Sequence, residues 1–135
     1  MDRPATYYVK YIHSMPKTAK SQIDAFLPLP PTVFHMLLAV GEGERHGYAL
    51  KREILRRTGG KVNLGSGALY GSINKMLEQG LIAESDERPD PHLDDERRRY
   101  YRITTLGRRV AQAEAVRLRE LVRLAEHRWG LPESI

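Results

Sequence analysis

The sequence predicts a mainly α (α+β) fold, a winged helix-turn-helix with a two-stranded wing and a long C-terminal dimerisation helix. Three observations carry the prediction: three short helices bounded by glycines, a switch to strand-like periodicity after Gly80, and a last helical stretch longer than a small core can cover. With 135 residues and 15.5 kDa, the chain fits one modest core. We divide it into residues 1–31 as an N-terminal extension, 32–104 as the DNA-binding domain and 105–135 as the dimerisation helix.

In the extension, Tyr7, Tyr8, Val9, Tyr11 and Ile12 form an apolar cluster, and Pro16, Pro28, Pro30 and Pro31 interrupt the rest of the segment. Tyr8, Ile12 and Met15 have helical spacing, which suggests a short helix ending before Pro16. The segment reads either as a tail or as an arm embracing a second subunit, and Lys10, Lys17 and Lys20 offer it phosphate contacts. Thr32 then caps a nearly all-apolar helix, Val33 to Val40, that ends at Gly41 and Gly43. A second helix runs from about Gly47 to Thr58, with Tyr48, Leu50, Ile54 and Leu55 inward, Lys51, Arg52, Arg56 and Arg57 outward, and Gly59 and Gly60 as its stop. Ser66 caps a third, which puts Leu69, Ile73, Met76 and Leu77 on one face and has Gly80 as its C′ residue.

Leu81 to Ser85 and Arg99 to Thr104 are strand candidates, joined by a long tip that contains Pro89, Asp90 and Pro91. Thr104 or Thr105 caps the last helix, which extends toward Trp129 and is well over 30 Å long at roughly 1.5 Å per residue. Leu118, Leu121, Val122, Ala125 and Trp129 lie along it. A second copy of the chain is the simplest partner for that stripe, so a homodimer is predicted.

The third helix carries the functional reading. With its apolar face turned to the core, Ser66, Gly67, Ala68, Tyr70, Gly71, Asn74 and Lys75 are left outside. Small residues in the first turn permit close approach to a groove wall, and the free N–H groups there suit a phosphate. An Asn amide pairs well with adenine, whereas Tyr70 and Lys75 suit phosphate or sugar. Arg97, Arg98, Arg99 and Arg102 place basic side chains on the second wing strand, although Asp94, Asp95 and Glu96 precede them as alternative partners. A net charge of +5 and a pI near 9.6 agree with a polyanionic partner, double-stranded DNA.

Other chemistries find little support. There is no cysteine, which excludes disulfides and thiolate chemistry, and no apolar run of membrane-spanning length, so a cytoplasmic protein is expected. His13, His35, His46, His92 and His127 lack paired ligand spacing, and the cluster of His92 with Asp94, Asp95 and Glu96 reads as a turn. We expect no metal, no cofactor and no enzymatic activity, because no acid, base and nucleophile can be placed in one cleft. Trp129 reads as a dimer anchor, with a planar aromatic effector as the alternative. A winged-helix module that binds protein is the competing function.

The runs HGYALKREILRRTGG (His46 to Gly60), LGSGALYGSINKMLEQGLI (Leu64 to Ile82) and RRYYRITTLG (Arg98 to Gly107) resemble the PadR family of transcriptional regulators over roughly residues 32–126. The resemblance implies a dimeric repressor on a roughly palindromic operator, with the C-terminal helix packed against the partner. By matching positions it makes Tyr70 the recognition-helix tyrosine and Tyr101 the wing tyrosine beneath it. Ala68 and Gly71 stand where the family often has Thr and Pro, so a hydroxyl contact is missing.

Overall fold

The computed structural model describes residues 17–85 and 99–133. The elements run α1 (Lys17–Asp24), α2 (Pro31–Gly41), β1 (Arg45–His46), α3 (Gly47–Arg57), α4 (Ser66–Glu78), β2 (Ile82–Ser85), β3 (Tyr100–Ile103) and α5 (Thr105–Trp129). The chain forms two compact units. Leu29–Ala111 is one, and the other holds α1 and the part of α5 from Gln112 onward.

The first unit is a winged helix-turn-helix. Met36, Leu37, Ala39 and Val40 from α2, Leu50 and Ile54 from α3, and Leu69, Ile73 and Met76 from α4 are all buried, as the helical spacing requires. Leu81, Ile82, Tyr100, Tyr101 and Val110 complete this core. Helix α3 packs on both α2 and α4, while β3 packs on α2 and β2 on α4.

The expected hairpin is present, with Ile82 opposite Ile103 and Ser85 opposite Tyr100. A third strand joins it: β1 pairs antiparallel with β3, Arg45 opposite Tyr101, giving the order β1-β3-β2. Two residues are too few to show a period, so the sequence carried no sign of β1.

Several helix ends differ from the sequence reading. Helix α2 starts two residues earlier, with Pro30 at the N-cap and Pro31 at the first position, where its missing N–H is no loss. Thr32 therefore lies inside the helix. Gly65, not Ser66, is the N-cap of α4, and no side chain caps that end. Helix α1 follows Pro16 and was not foreseen, because its one buried apolar side chain, Ile23, gives no periodic pattern. The proposed helix before Pro16 lies outside the described residues. Gly80 does close α4 at φ +76°, with Leu81 N–H donating to the Met76 carbonyl at 3.0 Å.

The passage from wing to α5 rests on Thr104 and Gly107. The Thr104 hydroxyl donates to the Gly80 carbonyl at 2.6 Å and accepts from Gly107 N–H at 2.9 Å, so it both caps α5 and ties it to the end of α4. A Cβ on Gly107 would stand 2.0 Å from the Leu81 carbonyl oxygen. Only glycine fits there, which explains the Thr-x-x-Gly spacing.

Candidate nucleic-acid interface

Helix α4 presents two faces. Leu69, Ile73 and Met76 are buried, and Ser66, Gly67, Ala68, Tyr70, Gly71, Asn74 and Lys75 are exposed, as the spacing predicted. A Cβ added at Gly67 or Gly71 would meet nothing within 4 Å. Glycine inside a helix costs about 1 kcal/mol relative to alanine. Nothing in the packing of the described residues requires glycine there, so the first two turns of α4 expose a smooth surface open to something external.

Tyr70, Asn74 and Leu77 line one side of a cleft of about 440 Å³. Its other walls come from His46, Gly47 and Tyr48 at the start of α3 and from Glu84, Arg99 and Tyr101 on the wing. Of the residues singled out in the sequence, the fold therefore brings Tyr70, Asn74, Arg99 and Tyr101 together. Ser66, Gly67, Ala68, Gly71 and Lys75 stand on the exposed surface of α4 without lining the cleft. Arg97, Arg98, His13, His92 and the acidic run at Asp94 fall outside the described residues.

The floor of the cleft is built by close approach. A Cβ on Gly47 would lie 3.0–3.2 Å from the Tyr70 ring, so glycine at the first position of α3 lets the ring settle against the helix. His46 caps the same helix end: its Nδ1 accepts from Ala49 N–H at 3.1 Å, and its ring meets Tyr100 edge-on with centroids 5.5 Å apart. This histidine has a structural task. Tyr101 is buried, and that burial, reinforced by the Glu84 carboxylate, raises the pKa of its phenol and keeps it neutral.

The sequence reading placed Tyr48 inward, yet it is 56% exposed. The buried stripe of α3 is Gly47, Leu50 and Ile54, and Tyr48 stands two residues, or about 200°, from Leu50 around the helix. Its ring carries the Arg52 guanidinium at 5.2 Å. Glu84, Gly47 and Leu77 were also missed as cleft residues. Leu77, expected in the core, is half-buried along the cleft wall. The i, i+4, i+7 spacing of Tyr70, Asn74 and Leu77 was the available signal, a second stripe beside the core stripe.

Not every basic residue is available to a partner. Glu53 accepts from Arg56 and from Arg57, the latter at 2.8 Å, and Glu42 also engages Arg57. These guanidinium groups, Arg56 foremost, hold the Glu53 carboxyl down to about 2. Arg45 donates to the Ala39 carbonyl at 3.1 Å. On the wing, Arg99 Nη1 donates to Glu84 Oε1 at 2.8 Å.

The last helix has an exposed apolar stripe. Leu121, Val122, Leu124 and Trp129 are 50%, 51%, 53% and 78% exposed, and Leu131 beyond the helix is 56% exposed. Leu118 and Ala125 are half-buried. Among the described residues no group of three potential metal ligands exists, and no helix is long and apolar enough to cross a membrane.

Helix-turn-helix, wing and the open face of α4 define the class: a winged-helix protein of the kind that transcriptional regulators are built on. The family model for the transcriptional regulator PadR-like family matches residues 36–113, and the chain belongs to that family. Among solved structures, a probable transcriptional regulator from Pseudomonas aeruginosa superposes with a TM-score of 0.58 at 22% identity, covering 93% of this chain and 85% of that one. A transcriptional regulator from Clostridium thermocellum gives 0.57 at 22% identity, over 73% and 88%. RosR of H. salinarum gives 0.54 at 22% identity, over 78% and 99%. At this identity the likeness concerns the fold. A comparison with curated proteins finds no match.

Proposed function

We propose that this chain is a homodimeric, sequence-specific repressor that occupies promoter DNA and does not act as an enzyme. The observation that carries the reading is the open face of α4. A Cβ added at Gly67 or Gly71 would meet nothing within 4 Å among the described residues, and Tyr70, Asn74 and Lys75 stand exposed beside them. A helix with a Cβ-poor first half fits deep in a major groove, with Asn74 at base edges, Tyr70 and Lys75 at the backbone, and Ser66 and Gly67 at a phosphate. Membership in a family of transcriptional regulators supports the same reading.

Dimerisation is assigned to Leu118, Leu121, Val122, Ala125 and Trp129, whose 3–4-residue spacing forms one stripe on α5. Two copies related by a two-fold axis present two α4 helices to half-sites about one DNA turn apart, which calls for a palindromic operator. The net charge of +5 favours that partner, and the proposed promoter-bound role puts its action in the cytoplasm. Trp129 serves as an anchor in the dimer; if it instead holds a planar aromatic effector, such compounds quench its emission.

The test is fluorescence anisotropy with a duplex selected from a random library by the wild-type protein. Tyr70→Ala and Lys75→Ala should weaken binding at least about tenfold with the oligomer unchanged. Undiminished binding by both variants contradicts the assignment of α4, and failure of the wild type to select any duplex favours a protein-binding module.

A further inference from the structure

The cleft beside α4 contains a charge pair that recognition of DNA leaves unexplained. Among the described residues, Glu84 is the one acidic side chain that lines it, and Arg99 is the one guanidinium. They face each other across the β2-β3 ladder, where Glu84 sits opposite Tyr101 and Arg99 directly precedes β3. The bond is 2.8 Å long, and the two side chains keep 70% (Arg99) and 49% (Glu84) of their surface exposed.

An ion pair this exposed is weak. It nonetheless cancels the charge of Arg99 in the wall that also holds Tyr70 and Asn74. A guanidinium gains more from a backbone phosphate, whose oxygens it grips in bidentate fashion as water leaves, than from a solvated carboxylate.

We propose that Glu84 holds Arg99 in the DNA-free protein and yields it to a phosphate when DNA seats against the cleft, so that Glu84 is a positioning residue that restrains DNA affinity. This rests on the DNA-binding reading of α4. Breaking the pair offsets part of what Arg99 gains at the phosphate, which lowers affinity for any duplex that draws the arginine away. A duplex that seats the wing poorly leaves Arg99 on Glu84 and gains nothing from it. The pair thereby separates operator from ordinary DNA.

Anisotropy titrations of the full chain against the selected duplex and a scrambled one, across a salt series, test the exchange. Glu84→Gln should tighten binding about 3- to 10-fold near 0.15 M salt and steepen the salt dependence by about one phosphate contact. Arg99→Gln should weaken binding and flatten that dependence by a similar amount. In the Arg99→Gln background, Glu84→Gln should add less than about twofold, because the partner it frees is gone. Thermal melts of each variant confirm folding. Equal gains in both backgrounds overturn the exchange, since the carboxylate then repels DNA independently of Arg99. No gain from Glu84→Gln while the wild type still prefers its selected duplex overturns it too and leaves the DNA-binding reading intact. A wild type that prefers no duplex removes that reading first.

Discussion

Helices α4 and α5 differ in how completely they use their apolar residues. Helix α4 buries Leu69, Ile73 and Met76 within its own unit and leaves a polar, glycine-rich face outside. Helix α5 buries Val110, Ala113 and Glu114 near its start and then exposes Leu121, Val122, Leu124 and Trp129. A finished helix with an unexplained polar face points to a polar ligand, whereas an unfinished apolar stripe points to another protein surface. On the proposed function, the same chain carries a DNA-reading surface and a pairing surface, and the two should fail independently.

Gly107→Ala should be the most damaging single change to the winged-helix unit. Its Cβ would meet backbone oxygen of Leu81, which cannot turn aside, so a loss of about 3 kcal/mol or more is expected in urea denaturation. A loss below about 1 kcal/mol would mean that α5 enters its unit less tightly than this contact requires. The double change Leu121→Asp, Val122→Asp should shift the dimer toward monomer by about 100-fold or more in sedimentation, with hydrogen exchange across α2 to α4 unchanged. Loss of protection in α4 as well would break the contrast between the two helices.

Smaller effects sharpen it. Gly47→Ala pushes on the Tyr70 ring at 3.0 Å, and that ring can swing; we expect about 1 kcal/mol of destabilisation and a several-fold loss of DNA affinity. An unchanged affinity would remove Tyr70 from the interface. The network around Glu53 predicts a pH effect. Its carboxyl lies near 2 in the folded chain against an ordinary value of 4.5, so its stabilising contribution is complete above about pH 4.5 and disappears as pH falls toward 2. Glu53→Gln should flatten that part of the acid-unfolding curve and leave DNA binding at neutral pH within about twofold.

Helices α2 to α5 were legible because their apolar residues recur at helical spacing, and the family resemblance added Tyr101. The features that stayed hidden did so for physical reasons. Strand β1 is two residues long and shows no alternation. The ends of α2 and α4 shifted because Pro31 and Gly65 satisfy local backbone geometry as well as Thr32 and Ser66 do. Tyr48 was misplaced because an aromatic ring was read as core when the helix phase puts it outside. Glu84 gained meaning only when the hairpin register set it beside Arg99, a relation between residues fifteen apart that no local pattern encodes.

Analytical ultracentrifugation of the chain with its selected duplex tests the central claim most directly. We expect two 15.5 kDa chains per palindromic duplex, with the Leu121→Asp, Val122→Asp variant losing the two-chain complex and Tyr70→Ala dimerising normally but leaving the DNA free. A complex of one chain per duplex, or a Tyr70→Ala dimer that still shifts the DNA, would contradict it.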